Sequence, residues 1–564
     1  MNSAGQFLKT HSYFTVFLVI TLFWAVVFLI SGSWNSGYHF TDDHDIVAIH
    51  HALTAQGLSL FDTIRQWLEV DHATGRFRVF YFINRIFQTS LLGINFPAWS
   101  IFNAYLAILT TFFLFVLARL ISFSILESLL FAGLTVIGAQ SAIWWQLGPS
   151  ETIGMFTLAI ALLFAAIQVN SRWVNAVCQG LFVVYVILMS LSKEPFILMI
   201  PAVIFAKLWI DKTAKSIGWL QSLQRNRFSV GVLLIVFVAE LLFVKYKVGT
   251  TPEIQYAGYE GLNLGKIWQA SWSLLQEGNG LILLIALFFL LMLSCLKSAD
   301  NQAEIYPADI RNIGYSDPIR IVRGFRRKSF SQSPFTIQPF TNHLGLLYLA
   351  LLLTLIILPQ AVIYAKSGIS QRYLFPGILG LSFGITCIYR RLRQRAKPLV
   401  YVLLFLIVFS LILKLGLVLE KSRIFALEGR STEALLTAIA DNTEPNSQIV
   451  LVTNPYVYSE WTGSIKKYLE YVSKRPYLYL ATYGKATVDP VLERKILDLY
   501  GARTLDRVTD PQKIQCVIVF PELQKQFLKR SVDWFIRQDY QEYIFGHFNR
   551  NLNPDSKIYL YCRH

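Results

Sequence analysis

Tyr13-Phe14-Thr15-Val16-Phe17-Leu18-Val19-Ile20-Thr21-Leu22-Phe23-Trp24-Ala25-Val26-Val27-Phe28-Leu29-Ile30 runs without a charge, and soon afterwards the chain reads Phe40-Thr41-Asp42-Asp43-His44-Asp45. An apolar run of about 20 residues spans a bilayer, whereas a secretory signal has a shorter core and a small-residue cleavage site. The run therefore reads as a helical anchor, and the acidic stretch falls just beyond the membrane surface. Three carboxylates and a histidine are costly beside lipid unless water, a cation or a substrate uses them.

The rest of the chain extends that reading. Of its 564 residues 54% are hydrophobic and 15% charged, with a mean hydropathy of +0.46. Long apolar runs recur, which predicts a polytopic α-helical membrane protein of about eleven spans. They are expected near 12–32, 97–118, 122–143, 151–170, 173–191, 195–210, 229–247, 279–296, 343–365, 373–389 and 398–420. With the N-terminus cytoplasmic, Arg119, Arg172, Lys212, Arg225, Arg320–Lys328 and Arg390–Lys397 all fall on the inside, as the positive-inside rule requires. This distribution also accounts for the net charge of +16 without a basic face on a soluble domain, so nucleic-acid binding is excluded. The plasma (inner) membrane is the expected location.

Residues 1–422 form the expected membrane domain, with a long first outer loop at 33–96 and a basic cytoplasmic connector at 297–342. Within the loop, Ile46, Ile49 and Leu53, and then Leu58, Phe61, Ile64 and Leu68, recur at helical spacing and predict interfacial helices. The run from Phe77 to Leu92, broken by Arg78, Asn84, Arg85 and Gln88, reads as another. Residues 423–564 read as a small extracytoplasmic α/β domain with a largely parallel sheet. Strands are expected at Gln448–Thr453, Tyr477–Thr482, Gln515–Phe520 and Lys557–Tyr561, with helices at Thr432–Ala440, Trp461–Lys474, Val491–Leu505 and Glu522–Phe535. Cys516 and Cys562 can pair there, although two free thiols in strands are the expectation. The domain has no Gly-rich phosphate loop, and support of the membrane part is its simplest role.

The acidic stretch has an ordinary structural reading. Thr41 or Asp42 can N-cap a helix through Val47-Ala48-Ile49, with Asp45 in its first turn. That explains one or two acids, not three with five of the nine histidines in the same loop. Asp42 and Asp43 are the candidate catalytic carboxylates. Asp43 and His51 lie two turns apart on one helix face, so Asp43, His44, Asp45 and His51 are candidate ligands for a divalent cation, at a spacing that matches no specific metal motif. Ser192-Lys193-Glu194-Pro195 and Gln371-Arg372-Tyr373-Leu374-Phe375-Pro376 place cations at the same outer surface, suited to a phosphate. Lys193 can equally be a snorkelling lysine beside Glu194, and Glu151 a helix-dipole acid.

The order of these segments resembles the GT-C superfamily: a long first outer loop opening on an acidic pair, Lys-Glu after the fifth helix, and Arg-Tyr-x-x-Pro before a late one. Members are membrane glycosyltransferases using polyprenyl-phosphate sugars, such as the mannosyltransferases and aminoarabinose transferases. The resemblance implies a base or metal-ligand role for Asp42 or Asp43. It implies donor phosphate binding by Lys193, Arg372, Arg76 and Arg78, with Glu151, Glu194 and Tyr373 as supporting groups. It also implies a polyprenyl-linked donor and an extracytoplasmic acceptor; attack opposite the leaving phosphate would then invert the anomeric carbon. The alternatives from the residues are a lipid or polysaccharide transporter, which would carry charges at mid-membrane, and an inactive scaffold.

Overall fold

In a computed structural model, each of the eleven expected apolar segments is helical over most of its length. The described residues are 3–73, 76–169, 171–248, 264–303, 343–367, 371–454, 458–482, 503–504, 513–521, 523, 540–550 and 553–563. The expected helices at Val491–Leu505 and Glu522–Phe535 and the connector at 297–342 lie wholly or largely outside them.

The membrane part begins with α1 (Ser3–Ser31), followed by three helices of the first loop: α2 (His44–Thr54), α3 (Leu60–Ala73) and α4 (Val79–Leu92). Next come α5 (Phe96–Leu120), α6 (Ile125–Val136), α7 (Ala142–Trp145), α8 (Glu151–Ala166) and α9 (Arg172–Ser190). They are followed by α10 (Glu194–Ile197), α11 (Ile200–Lys215), α12 (Trp219–Arg225), α13 (Arg227–Phe243), α14 (Leu264–Glu277) and α15 (Gly280–Ala303). The last three are α16 (His343–Ser367), α17 (Phe375–Arg393) and α18 (Lys397–Asp441).

Among the described residues seven helices are long and apolar enough to cross a membrane, or nine if each of two bent pairs counts as one span. This measure picks out at most nine of the eleven expected spans. The difference lies in α8 and α11, at 16 residues each; a helix of that length rises only about 24 Å. The bends, 69° between α6 and the turn leading into α7 and 80° between α14 and α15, fall where Gly138 and Asn279 take positive φ values of 149° and 63°. The chain is an integral membrane protein.

Small residues and aromatic rings close the bundle, as expected where lipid supplies no hydrophobic drive between helices. Gly154 of α8 lies flat against the Phe196 ring, where an added Cβ would come within 2.4 Å of it. Trp24 of α1 is buried against Trp144, and its indole N–H donates to Thr111 Oγ1 at 2.9 Å.

Helix α18 continues for 45 residues out of the bundle and into the C-terminal part. The expected boundary at residue 422 falls inside it, so a continuous helix joins the two parts. Beyond it lie β1 (Gln448–Thr453), α19 (Ser459–Tyr471), β2 (Leu478–Thr482), β3 (Arg503–Thr504), β4 (Ile514–Val519), β5 (Tyr540–Arg550) and β6 (Asn553–Arg563). The sheet order is β3-β2-β1-β4-β6-β5. Pairing is parallel from β3 to β4 and antiparallel through β6 and β5, so the expected largely parallel sheet carries an antiparallel edge. Cys516 and Cys562 face each other in the β4–β6 register and form a disulfide, contrary to the expectation of free thiols.

The segment between α1 and α2 is clasped between the bundle and this sheet domain. Tyr38 donates its hydroxyl to the Ser464 carbonyl at 2.9 Å, and Phe40 packs on Trp461 and Phe548. His39 stacks on Phe425 at 3.7 Å between ring centres. Gly429 of α18 is required here, because a Cβ would come within 2.0 Å of the Ser36 carbonyl oxygen.

Candidate active site

Asp42 stands at the centre of the charged groups where bundle and domain meet. Its backbone is left-handed, with φ +60°, a conformation that among non-glycine residues Asn and Asp adopt most readily. Three contacts fix it. Its N–H donates to Glu460 Oε1 at 3.2 Å, its carbonyl accepts from Arg85 Nη2 at 3.4 Å, and its Cβ rests on Gly148. An added Cβ on Gly148 would lie 1.8 Å from the Asp42 Cβ, so residue 148 has no room for a side chain. The carboxylate then reaches Arg372, with Oδ2 2.8 Å from Nη1. The expected N-cap role is corrected: Asp43 holds the cap position of α2, and no side chain caps it. Asp42's side chain is committed elsewhere.

A second ion pair lies one aromatic ring away. Lys193, between α9 and α10, meets Glu151 at the start of α8 at 2.5 Å, and both are buried. The Lys193 ammonium sits 4.2 Å from the centre of the Tyr373 ring, and the Arg372 guanidinium 5.4 Å from it. Asp42, Glu151, Lys193, Arg372 and Tyr373, spread over some 330 residues of sequence, are thus brought together. Each of the two cations is balanced by a carboxylate, Lys193 by Glu151 and Arg372 by Asp42.

Arg78 belongs to the same neighbourhood, and its guanidinium is held by Asp71 at 2.6 and 2.8 Å. Glu194 accepts the Phe77 N–H at 2.7 Å and so ties this loop to α10. Arg76 has a half-buried side chain, and its N–H donates to the Asp71 carbonyl at 3.0 Å.

Asp43 points the other way. Its Oδ2 lies 3.1 Å from His39 Nδ1 and accepts the His39 N–H at 3.0 Å, and the residue is buried. His44 Nδ1 faces Ser464 Oγ at 2.9 Å and its Nε2 faces Asp45 at 3.5 Å, while His51 stacks on Tyr471. The expected ligand set of Asp43, His44, Asp45 and His51 is therefore corrected. Asp43 faces His39 and His51 faces Tyr471, while His44 and Asp45 face each other, and among the described residues no three such side chains are grouped to hold a cation.

Sequence reasoning missed Glu460 and Lys467 of α19, the latter 3.8 Å from Asp45. It noted Arg85 only as an interruption of α4, although Arg85 is buried, lies over Trp99 and donates to the Leu147 carbonyl.

Partial burial pushes the Asp42 carboxyl up, but Arg372, with His44 and Arg78 behind it, holds it well below the usual carboxylate range. Burial and then the Asp42 charge push Glu460 up to about 7. Burial and then Lys467 pull His44 down to about 4.

These last two shifts oppose each other at the loop–domain contact. The raised carboxyl contributes stability below its ordinary 4.5 that is lost as pH rises through about 7. The lowered imidazole contributes stability above its ordinary 6.5 that is lost as pH falls through about 4. Glu460→Gln removes the first effect and leaves the second. Its melting temperature in detergent should fall more steeply than that of the wild type on acidification from pH 6.5 to 4. Parallel curves would refute the balance.

No protein-family profile and no curated protein sequence matches the chain. Solved structures do, over nearly its whole length. The crystal structure of ArnT from Cupriavidus metallidurans bound to undecaprenyl phosphate is similar at TM-score 0.49 and 11% identity, over 99% of this chain and 98% of that one. Its apo form gives 0.45 and 11%, over 98% of each. The apo oligosaccharyltransferase of Archaeoglobus fulgidus gives 0.42 and 11%, over 97% of this chain and 76% of that one. ArnT and the oligosaccharyltransferase both have the GT-C fold.

Proposed function

We propose that the protein is a membrane glycosyltransferase that moves a sugar from a polyprenyl-phosphate donor to a hydroxyl of an extracytoplasmic acceptor. One observation carries this reading: the Asp42–Arg372 and Lys193–Glu151 pairs flank one tyrosine ring where the bundle meets the domain. Lys and Arg of the expected cytoplasmic loops, such as Arg393 and Lys215, end helices at the opposite side of the bundle, which supports an outward-facing site and a cytoplasmic N-terminus.

A polyprenyl-phosphate sugar is a phosphodiester with one negative charge. In this reading its phosphate takes Arg372 and Lys193 from their carboxylates, exchanging one set of ion pairs for another. Losing Arg372 as counter-charge raises the proton affinity of Asp42, which then serves as general base. Asp42 accepts the acceptor hydroxyl proton and the oxygen bonds to the anomeric carbon. The bond from that carbon to the phosphate oxygen breaks, and the polyprenyl phosphate leaves with its charge held by the cations. Attack opposite the leaving phosphate inverts the anomeric centre. Asp43, enclosed with His39, has a scaffolding role in this scheme. The proposed ligand set does not fit a cation, so no step is routed through one.

The test uses purified protein in proteoliposomes with a panel of radiolabelled undecaprenyl-phosphate hexoses and pentoses, added with envelope lipids and glycans as acceptors. Undecaprenyl is chosen because it is the lipid named for one similar structure. Free undecaprenyl phosphate and an inverted glycoside are expected. Retention would refute in-line attack. Movement of the lipid-linked sugar across the bilayer without a new glycosidic bond would replace the reading by transport.

A further inference from the structure

Helix α19 meets the first loop along one face. Glu460, Ser464, Lys467 and Tyr471 follow at helical spacing, and they touch Asp42, then Phe40 and His44, then Asp45, then His51. Three of these four contacts bind groups that the proposed reaction does not use. Glu460 alone reaches the backbone of the proposed base. The N–H it accepts belongs to the residue whose left-handed backbone is disfavoured for an L side chain. The opposite side of Asp42 is closed by Gly148 and its carbonyl is held by Arg85, so Glu460 completes a three-sided mount.

We infer that Glu460 is a positioning residue for sugar transfer. Its carboxyl oxygen holds the Asp42 N–H, and so aims the Asp42 carboxylate across to Arg372. The C-terminal domain is then part of the catalytic apparatus, whereas from sequence its simplest role was support. This inference rests on the function proposed above, since it assumes that Asp42 is the base.

A tether and a positioning residue predict different kinetics. A misplaced base slows the chemical step by as much as about a hundredfold for a shift near 1 Å, while donor binding by Arg372 and Lys193 is untouched. The experiment compares Glu460→Ala, Glu460→Gln and Ser464→Ala in proteoliposomes, with the undecaprenyl-phosphate sugar that the wild type uses. Glu460→Ala should lower kcat by about tenfold to a hundredfold with donor KM within about twofold. Glu460→Gln keeps an oxygen that accepts the same N–H and should restore kcat to within about threefold. Ser464→Ala loosens the same helix face without touching Asp42 and should leave kcat within about twofold. Wild-type kcat in Glu460→Ala, an equal loss in Ser464→Ala, or a Gln variant as slow as Ala would overturn the inference. If the alanine variant does not fold, Glu460→Met against Glu460→Gln makes the same comparison. A wild type that transfers no sugar in this assay refutes the proposed function instead, so the two failures are told apart.

Discussion

Asp42→Asn is expected to slow sugar transfer by about a hundredfold to ten-thousandfold, the range a positioned general base supplies. The substitution is unusually clean at this position. Asparagine accepts the φ of +60° as readily as aspartate, and its amide oxygen can still take the bond from Arg372 Nη1. Membrane insertion, melting temperature and donor binding should therefore change little while kcat falls. Asp43→Asn should do the reverse. It weakens the enclosed contact with His39, so it lowers stability by about 1–3 kcal/mol and leaves kcat nearly intact. Both variants can be read in one set of thermal melts and initial rates. An Asp42→Asn enzyme at wild-type rate would remove the central claim, and an inactive but stable Asp43→Asn would move the base to its neighbour.

Arg372→Ala is expected to cost about a hundredfold to a thousandfold in kcat/KM, or roughly 3–4 kcal/mol of transition-state stabilisation. The loss is that of the guanidinium on the leaving phosphate; Asp42, which gives up Arg372 to the donor in any case, loses nothing further in the transition state. Donor KM should rise and kcat should fall, in contrast to the kcat-only pattern of Asp42→Asn. Arg372→Lys should recover part of the loss, because a point charge replaces the charge but not the fork geometry. Steady-state kinetics with undecaprenyl phosphate as competing product will show both effects. A change below about fivefold would mean that Arg372 does not meet the phosphate.

Much of this was legible because the membrane imposes periodicity and length on the chain. The apolar runs appear as helices, and β1 spans the predicted Gln448–Thr453. Residues conspicuous as outside charges, Lys193 and Arg372, do lie near Asp42. What stayed hidden depends on packing between distant segments. Asp42 and Asp43 are equivalent in sequence, and only the surface of Gly148 and the pocket under Phe425 turn one toward Arg372 and the other inward. The Glu151 and Asp71 partners of Lys193 and Arg78 needed the fold as well. The disulfide followed from strand register, because an antiparallel return strand places Cys562 opposite Cys516. Glu460 gave no local signal, since one glutamate near the start of an ordinary helix is unremarkable.

The unbroken length of α18 has a mechanical consequence. Its first half is an apolar face turned outward at Phe405, Phe409 and Ile412, and its last turns enter the core beneath the sheet through Leu435 and Ile439. At 45 residues it is a strut of about 68 Å, so the bilayer and the C-terminal domain grip two ends of one lever. Hydrophobic mismatch is relieved largely by tilting helices, and any tilt at the lipid end would be delivered to the far end as a sideways displacement. Catalysis should then respond to acyl-chain length in the host membrane, with turnover greatest at the thickness that lets the lever stand at its resting angle.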